Sequence, residues 1–188
     1  MKLSVQHLVV PKDGEYESGD AVFVRPYDDG GLFVVIDALG HGERAAEVAQ
    51  AGLLALEEVP DGERVAAIID LLHGRLRGTR GAAAMVCVVH EGRLEGCAVG
   101  NVELATVGTR VPWVPSPGIL GASVRRVRTF EAQLAVGDRL ILYTDGISPR
   151  MDLSCCRGVR GADACRALMT RYRRPHDDAT VLIADIEP

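Results

Sequence analysis

The chain has 188 residues, of which 47% are hydrophobic and 25% charged, a composition typical of one soluble globular domain. Its formal net charge of −5 argues against the strongly basic classes that bind nucleic acids or anionic membranes through charge. The longest apolar run, residues 82–89, is far shorter than the roughly 20 residues that span a bilayer.

The first part of the chain predicts three strands followed by two helices. Residues 3–10 and 20–26 have strand-like patterns, and residues 32–37 form a continuous apolar run typical of a buried strand. Helical periodicity follows over residues 43–57. A second helix is predicted over residues 61–77, with one apolar face formed by Val65, Ile68, Ile69, Leu72 and Leu76. We interpret both helices as layers that cover the core.

The rest of the chain is mainly strands. These are predicted over residues 82–90, 93–99, 102–108, 110–114, 125–134, 139–144 and 179–186. A loop rich in Pro and Gly, residues 114–123, interrupts them, and one helix is predicted over residues 161–173. No linker or repeat divides the chain, so we expect a single α+β domain over residues 1–188, built as a layered sandwich.

Acidic residues stand at the ends of the most apolar strands. Asp37 ends "LFVVID" and Asp145 ends "RLILYTD", whereas Asp177 and Asp178 directly precede "ATVLIAD". If the last strand runs antiparallel to the other two, its beginning lies at the edge where they end. Asp20, which begins the strand "AVFV", is a further candidate for the same edge.

Carboxylates gathered at one edge repel one another unless cations lie between them. Ligation by oxygen alone is what Mg²⁺ and Mn²⁺ prefer. The adjacent glycines allow sharp turns and leave room for ions and a substrate: Gly19, Gly40, Gly42 and Gly146. A turn or helix-capping role explains any one of these aspartates alone, but it explains the whole set less well.

Four motifs occur in a recognisable order: "SGD", "VIDALGHG", "AVGDRLILYTDGI" and "DDATVLI". Together they resemble the metal-dependent type 2C (PPM) protein serine/threonine phosphatases, and specifically their bacterial SpoIIE-like branch. The resemblance covers nearly the whole chain. It implies a four-layer α-β-β-α sandwich of two mainly antiparallel sheets flanked by helices, with two divalent ions, Mn²⁺ or Mg²⁺, at one edge.

The resemblance also implies the metal ligands. Asp37 would bridge both ions, Asp145 and Asp177 would complete the shell of the first, and Asp20 would serve the second directly or through water. The residue after the bridging aspartate normally offers its backbone carbonyl to the second ion. That residue is usually Gly, and here it is Ala38. We expect a geometric adjustment unless the backbone at this position requires a positive φ.

Supporting roles at this site fall to Gly19, Gly146, Asp178 and His41. Asp177 is preferred to Asp178 as a ligand because the family pattern there is Asp, Asp or Asn, any residue, then Thr. The general-acid histidine of eukaryotic relatives stands where this chain has Leu39. His41, two positions later, is either a displaced acid or a cap for the helix that starts near Glu43.

The activity implied by the resemblance is hydrolysis of phosphoserine or phosphothreonine by a metal-bridging hydroxide. Sensor, receiver and kinase modules are not recognisable, so the chain looks like an RsbX-type stand-alone phosphatase, whose substrates are STAS-domain proteins of the stressosome. Two alternatives stay open. One is a catalytically silent phosphatase fold that binds or scaffolds a phosphoprotein, and the other is a hydrolase of small phosphomonoesters or nucleotides. Neither nucleic acid nor membrane is expected as a partner.

The five cysteines are odd in number and contain no CxxC pair. We interpret them as reduced thiols in a cytoplasmic protein, and residues 1–10 do not resemble a signal peptide. A zinc site is disfavoured because adjacent cysteines chelate poorly. Its ligands would be Cys155, Cys156, Cys165 and His176.

Overall fold

The continuous apolar run is strand β3 (Gly30–Ala38), which lies inside a five-stranded sheet. In the computed structural model, which describes residues 1–188, its side chains alternate between two separate cores. Leu32, Val34 and Ile36 pack toward helices, whereas Phe33 and Val35 point into the space between two sheets. Both faces are buried, and this explains why the strand is apolar at every position rather than at every second one.

Two antiparallel sheets form the centre of the molecule. The five-stranded sheet has the order β2-β3-β4-β5-β9 and the four-stranded sheet the order β1-β11-β10-β6. The strands of the first are β2 (Asp20–Tyr27), β3, β4 (Ala82–His90), β5 (Arg93–Val99) and β9 (Thr129–Gln133). Those of the second are β1 (Lys2–Val10), β6 (Glu103–Val107), β10 (Arg139–Tyr143) and β11 (Ala179–Glu187). A small hairpin joins β7 (Gly118–Ile119) to β8 (Ser123–Val124).

Helices cover both outer faces of the paired sheets. Helices α1 (Glu43–Glu57) and α2 (Val65–Arg75) pack on the five-stranded sheet, and α3 (Gly161–Tyr172) packs on β1 and β11 of the other. Three apolar clusters fill the spaces between the resulting layers. The predicted α-β-β-α sandwich is therefore confirmed. None of the helices is long and apolar enough to cross a membrane.

Arg25 of β2 forms hydrogen bonds with the end of α1. Its guanidinium donates hydrogen bonds to the backbone carbonyls of Leu56, Glu57 and Val59. These carbonyls belong to the last turn of the helix and the residues after it, where no intrahelical partner exists. Arg25 thus links the end of α1 to β2, in addition to the apolar packing of the helix on the sheet.

Some predicted boundaries are wrong. Residues 110–114 are not a strand, because Pro112 lacks a backbone N–H and the Trp113 side chain turns inward to donate from Nε1 to the Leu104 carbonyl at 2.9 Å. Helix α2 begins at Val65 rather than Asp61, since Gly62 has a positive φ of 78° and forms a turn. The strand predicted over residues 125–134 is confined to β9.

Candidate metal centre

Asp20 and Asp37 are direct cross-strand neighbours. Asp20 at the start of β2 pairs with Asp37 near the end of β3. Side chains alternate along a strand, so Asp37 shares its face with Phe33 and Val35, which belong to the core between the sheets. Both carboxylates therefore emerge at the edge of that inner space, where the two sheets meet.

The second sheet brings its own carboxylates to the same edge. Strands β10 and β11 are antiparallel, so Asp145 just after β10 lies near Asp177 just before β11, as predicted. Strand β11 is not bonded to β3, which belongs to the other sheet. Thr144 connects the sheets instead, because its hydroxyl donates to Asp20 Oδ2 at 2.7 Å and accepts from the Thr180 backbone N–H at 2.9 Å.

A cleft of about 680 Å³ opens at this edge. Three of the predicted ligands line it: Asp37, Asp145 and Asp177. Asp20 and Asp178 are almost fully buried and do not line the cleft, with 5% and 4% of their surfaces exposed. Three aspartates thus line the opening, and two more are buried close to them.

The electrostatics of this cluster favour a bound cation. Burial and the neighbouring carboxylates, Asp20 first among them, raise the pKa of Asp37 to about 8. Burial likewise raises the pKa of Asp20 to about 7, although the Thr144 hydrogen bond opposes this. Burial and Asp177 also raise the pKa of Asp145. A divalent ion would relieve the repulsion that produces these shifts, so the all-oxygen donor set fits Mg²⁺ or Mn²⁺.

The carboxylates lie near one another, but their oxygens do not surround a common position. No group of three His, Cys, Asp or Glu side chains is arranged to hold an ion in this conformation. Two of the acids are tied to neighbours, since Thr144 binds Asp20 and Asn101 binds Asp145. Each of these hydrogen bonds engages one oxygen of the carboxylate. The cysteines are free thiols.

Asp178 has a structural role that differs from that of Asp177. Its Oδ1 accepts from the Lys12 backbone N–H at 2.8 Å, and its Oδ2 accepts from the Gly19 backbone N–H at 2.7 Å. Both oxygens are thus occupied in holding the segment before β2 against the start of β11. Asp177 is half-buried and lines the cleft. Asp177 therefore stays the predicted ligand of the two.

Two of the predicted glycines are required by close contacts. A Cβ atom at Gly19 would lie 2.7 Å from the Cβ of Ala45, and one at Gly146 would overlap the carbonyl oxygen of Asp178. Gly146 also accepts a backbone hydrogen bond from Arg174 at 2.7 Å. Both residues therefore allow segments that carry aspartates to approach closely.

Ala38 and His41 were the two departures from the expected pattern. Ala38 does not have a positive φ and lies within β3, so alanine is accommodated without backbone strain. His41 does not cap α1: the N-cap is Gly42, and no side chain caps that end of the helix. Instead, His41 Nδ1 lies 2.8 Å from Glu15 Oε1 and its Nε2 lies 2.8 Å from Lys12 Nζ.

Four polar residues at the site were not predicted. Asn101 donates to Asp145 Oδ2 at 2.8 Å, Arg174 donates to the Asp145 carbonyl at 3.1 Å, and Lys12 lines the cleft. Thr144 is the fourth. The sequence could have indicated Asn101, because this polar residue stands near the end of the strand predicted over residues 93–99. Asp37 and Asp145 stand at the ends of their predicted strands in the same way. Within residues 147–176, helix α3 lies on the outer face of the sheet, whereas Arg174 and His176 lie at the site.

Comparison with known proteins identifies a family and several similar folds. The family model described as Stage II sporulation protein E (SpoIIE) matches residues 28–187. Comparison with curated protein sequences finds no match.

Solved structures give a more detailed comparison. A chain from work on the bacterial stressosome, described as a modular system adapted to control secondary messenger signaling, is 28% identical with a TM-score of 0.90, and the match covers 98% of this chain and 100% of that one. RsbX in complex with magnesium is 23% identical with a TM-score of 0.88, over 99% and 96% of the two chains. The catalytic domain of the serine/threonine protein phosphatase PstP, in complex with two manganese ions, is 16% identical with a TM-score of 0.79, over 100% and 99%.

Proposed function

The chain belongs to the SpoIIE family, within the PPM-type protein serine/threonine phosphatases, and on this premise we propose that it dephosphorylates phosphoserine or phosphothreonine on a STAS-domain regulator. The observation that carries the proposal is the set of aspartates from both sheets around one cleft. Asp37 is central because burial and the neighbouring aspartates, Asp20 first among them, raise the pKa of its carboxyl to about 8. Such a carboxylate binds a cation readily.

Two divalent ions, Mn²⁺ or Mg²⁺, would be held by oxygen ligands alone. These are the carboxylates of Asp20, Asp37, Asp145 and Asp177 and the backbone carbonyl of Ala38, with Asp37 shared between both ions. When bound, the ions would supply an activated water and offset the charge of the phosphoryl oxygens. No protein nucleophile is needed for this hydrolysis.

The chain's own residues orient the ligands. Asn101 fixes one oxygen of Asp145, and Thr144 fixes one oxygen of Asp20 from the opposite sheet. Hydrogen bonds of this kind set the direction in which a ligand's remaining lone pairs point. Lys12 adds a positive charge to a cleft otherwise dominated by carboxylates, where an incoming phosphate dianion would need it.

The proposed substrate is a phosphorylated STAS-domain protein, the kind of substrate on which RsbX-type phosphatases act. Its support is the 28% identical chain from the bacterial stressosome, which matches almost end to end. The fold shared with RsbX is consistent with the same role. The proposed partner is accordingly the phosphorylated STAS-domain protein of a stressosome or partner-switching system, and the proposed place of action is the cytoplasm.

Hydrolysis of p-nitrophenyl phosphate tests the activity. We expect hydrolysis that depends on Mn²⁺ or Mg²⁺ in the wild-type protein and falls to background in Asp37→Asn, which removes the shared ligand while keeping its shape. Asp28→Asn, on the exposed β2–β3 turn, is the matched control. Wild-type activity no higher than that of Asp37→Asn with any divalent ion would favour a catalytically silent binding module.

The substrate class needs a separate experiment. Phosphorylated STAS-domain proteins from the same genome, free phosphoserine and nucleotides are compared at equal concentration. We expect kcat/KM to be highest for one STAS-domain protein. A preference for a nucleotide or a free phosphomonoester would contradict the proposed substrate while leaving the phosphatase activity intact.

A further inference from the structure

Positive charge is distributed unevenly along this acidic chain. Residues 71–90 and 104–130 contain none of its 26 acidic residues but carry seven of its 21 Lys and Arg residues, all of them arginine. The rest of the chain therefore has 14 cations against 26 acids, a net charge of −12. Two segments free of acid thus stand out from a strongly acidic remainder.

The fold brings these two segments together. The backbones of Ala82 and Leu120 exchange hydrogen bonds of 3.1 and 2.8 Å. The backbone N–H of Gly121 donates to His73 Nδ1 at 3.1 Å. These contacts join α2 and the start of β4 to the β7–β8 hairpin, whose residues Gly118 and Ile119 line the cleft.

Arg80 lies at the edge of the cleft. Gly40, which lines the cleft, has a φ of 96°, and a Cβ atom there would lie 2.7 Å from Arg80 Nη1. The guanidinium thus lies beside the segment that follows Asp37. Arg80 is exposed and has neither an ion-pair partner nor a side-chain hydrogen bond, so its charge is available to a ligand.

Three further arginines continue along the same edge. Arg125, Arg126 and Arg128 follow Val124, which pairs with the cleft residue Gly118. All three are exposed and lack an ion-pair partner. They lead into β9, which is three strands from β3, a lateral separation of about 14 Å at the usual spacing of about 4.8 Å per strand.

We propose that Arg80, Arg125, Arg126 and Arg128, the basic rim, dock an acidic segment of the protein that presents the phosphorylated residue. This inference rests on the proposed phosphatase function and adds a substrate feature to it. A short acidic segment can lie along the row while its phosphorylated residue enters the cleft. An extended nucleic acid fits less well, because the acidic remainder of the surface repels a long polyanion.

Peptide substrates test the rim. Two phosphoserine peptides are compared, one with aspartates and glutamates on both sides of the phosphoserine and one with serines in their place. The variants are Arg125→Ser/Arg126→Ser and Arg80→Ser. The matched control is Arg157→Ser/Arg171→Ser, which removes two exposed, unpaired charges, one before α3 and one in its last turn. Rates with p-nitrophenyl phosphate give the active fraction by which the peptide rates are normalised.

We expect the wild-type kcat/KM to favour the acidic peptide about tenfold at low salt, in line with a few screened surface charges. The preference should fall toward one in Arg125→Ser/Arg126→Ser, fall partly in Arg80→Ser, and persist in the control. Higher salt should weaken it in the wild-type protein. An unchanged preference in both rim variants would overturn the inference.

Fluorescence anisotropy with an unphosphorylated acidic peptide provides a readout that does not need the metal centre. Weaker binding by Arg125→Ser/Arg126→Ser than by the control is expected, and equal binding would contradict the rim. Tighter binding of a single-stranded RNA of the same charge would reassign the surface to nucleic acid. Absence of phosphatase activity with every metal would refute the proposed function. The anisotropy measurement would still show whether the basic rim binds an acidic peptide.

Discussion

Asp20 and Asp37 lie opposite each other on β2 and β3, and both carboxyls have pKa values raised well above the usual range. One carboxylate is fixed by Thr144 of the other sheet. Burial and the neighbouring acids are the main causes of the raised pKa of the other. The strand pairing that completes the sheet therefore also concentrates negative charge at its edge.

This arrangement predicts that the metal-free protein loses stability as the pH rises. Because the folded-state pKa of Asp37 is raised to about 8, its carboxyl contributes most to stability below about pH 4, and this contribution is lost as pH rises toward 8. Asp37→Asn removes the charge, so the difference in melting temperature between variant and wild type should grow in favour of the variant from pH 4.5 to pH 8.5. Melting curves with chelator measure it.

The control for this experiment is Asp28→Asn, at an exposed turn. Its melting temperature relative to wild type should change little over the same range. Saturating Mn²⁺ should reverse the order at pH 8.5, because it stabilises only the protein that has all its ligands. An Asp37→Asn variant that is no more stable relative to wild type at pH 8.5 than at pH 4.5 would contradict the electrostatic account.

The charge cluster also shows what could be predicted from the sequence. The strand ending in Asp37 was predictable because it is buried on both faces and must be apolar throughout. Its acidic end then stands out against the apolar run. Similar contrasts marked Asp145 and Asp177. The α-β-β-α layering followed from the family resemblance, and the structure and its relatives confirm it.

The neutral residues around the cluster were harder to predict. Thr144 contacts Asp20 across 124 positions in the chain, and Asn101 contacts Asp145 across 44. Threonine and asparagine are common at strand ends and turns for local reasons, so their residue type carries little information. Their role depends on how two sheets pack, which a local pattern does not encode. His41 was misassigned as a candidate cap for the same reason, since its partners come from the segment before β2.

Asn101 is expected to orient Asp145 for metal binding. Asn101→Ala removes the hydrogen bond of 2.8 Å to Asp145 Oδ2, and loss of such outer contacts weakens metal binding about 10-fold or more. Calorimetric titration of Mn²⁺ into wild type, Asn101→Ala and Asp145→Ala measures this. Affinity should fall in that order. Equal affinity in wild type and Asn101→Ala would show that the hydrogen bond does not position the ligand.

His41 is not expected to act as a general acid. The Lys12 ammonium can only donate a hydrogen bond, so Nε2 must accept it, and the ring proton then lies on Nδ1 toward Glu15. This tautomer has no proton to give to a leaving group at Nε2. His41→Ala should lower kcat by less than about tenfold, whereas loss of a general acid costs about 10² to 10⁴.

Rates with two leaving groups of different basicity show whether His41 is a general acid. Loss of a general acid slows phenyl phosphate much more than p-nitrophenyl phosphate, because the poorer leaving group depends more on protonation. We expect His41→Ala to slow both substrates by the same factor. A selective loss with phenyl phosphate would instead restore His41 as the acid.

Arg25 is expected to contribute to stability rather than to catalysis. Its side chain is 20% exposed and donates to three backbone carbonyls at the end of α1, so Arg25→Met should lower the free energy of unfolding by about 2 kcal/mol. Arg93→Met is the matched control, because Arg93 is 66% exposed and pairs only with Glu131 on the surface, which predicts a loss below about 1 kcal/mol. Urea denaturation measures both. Similar losses in the two variants would mean that the carbonyl contacts of Arg25 do not hold α1 in place.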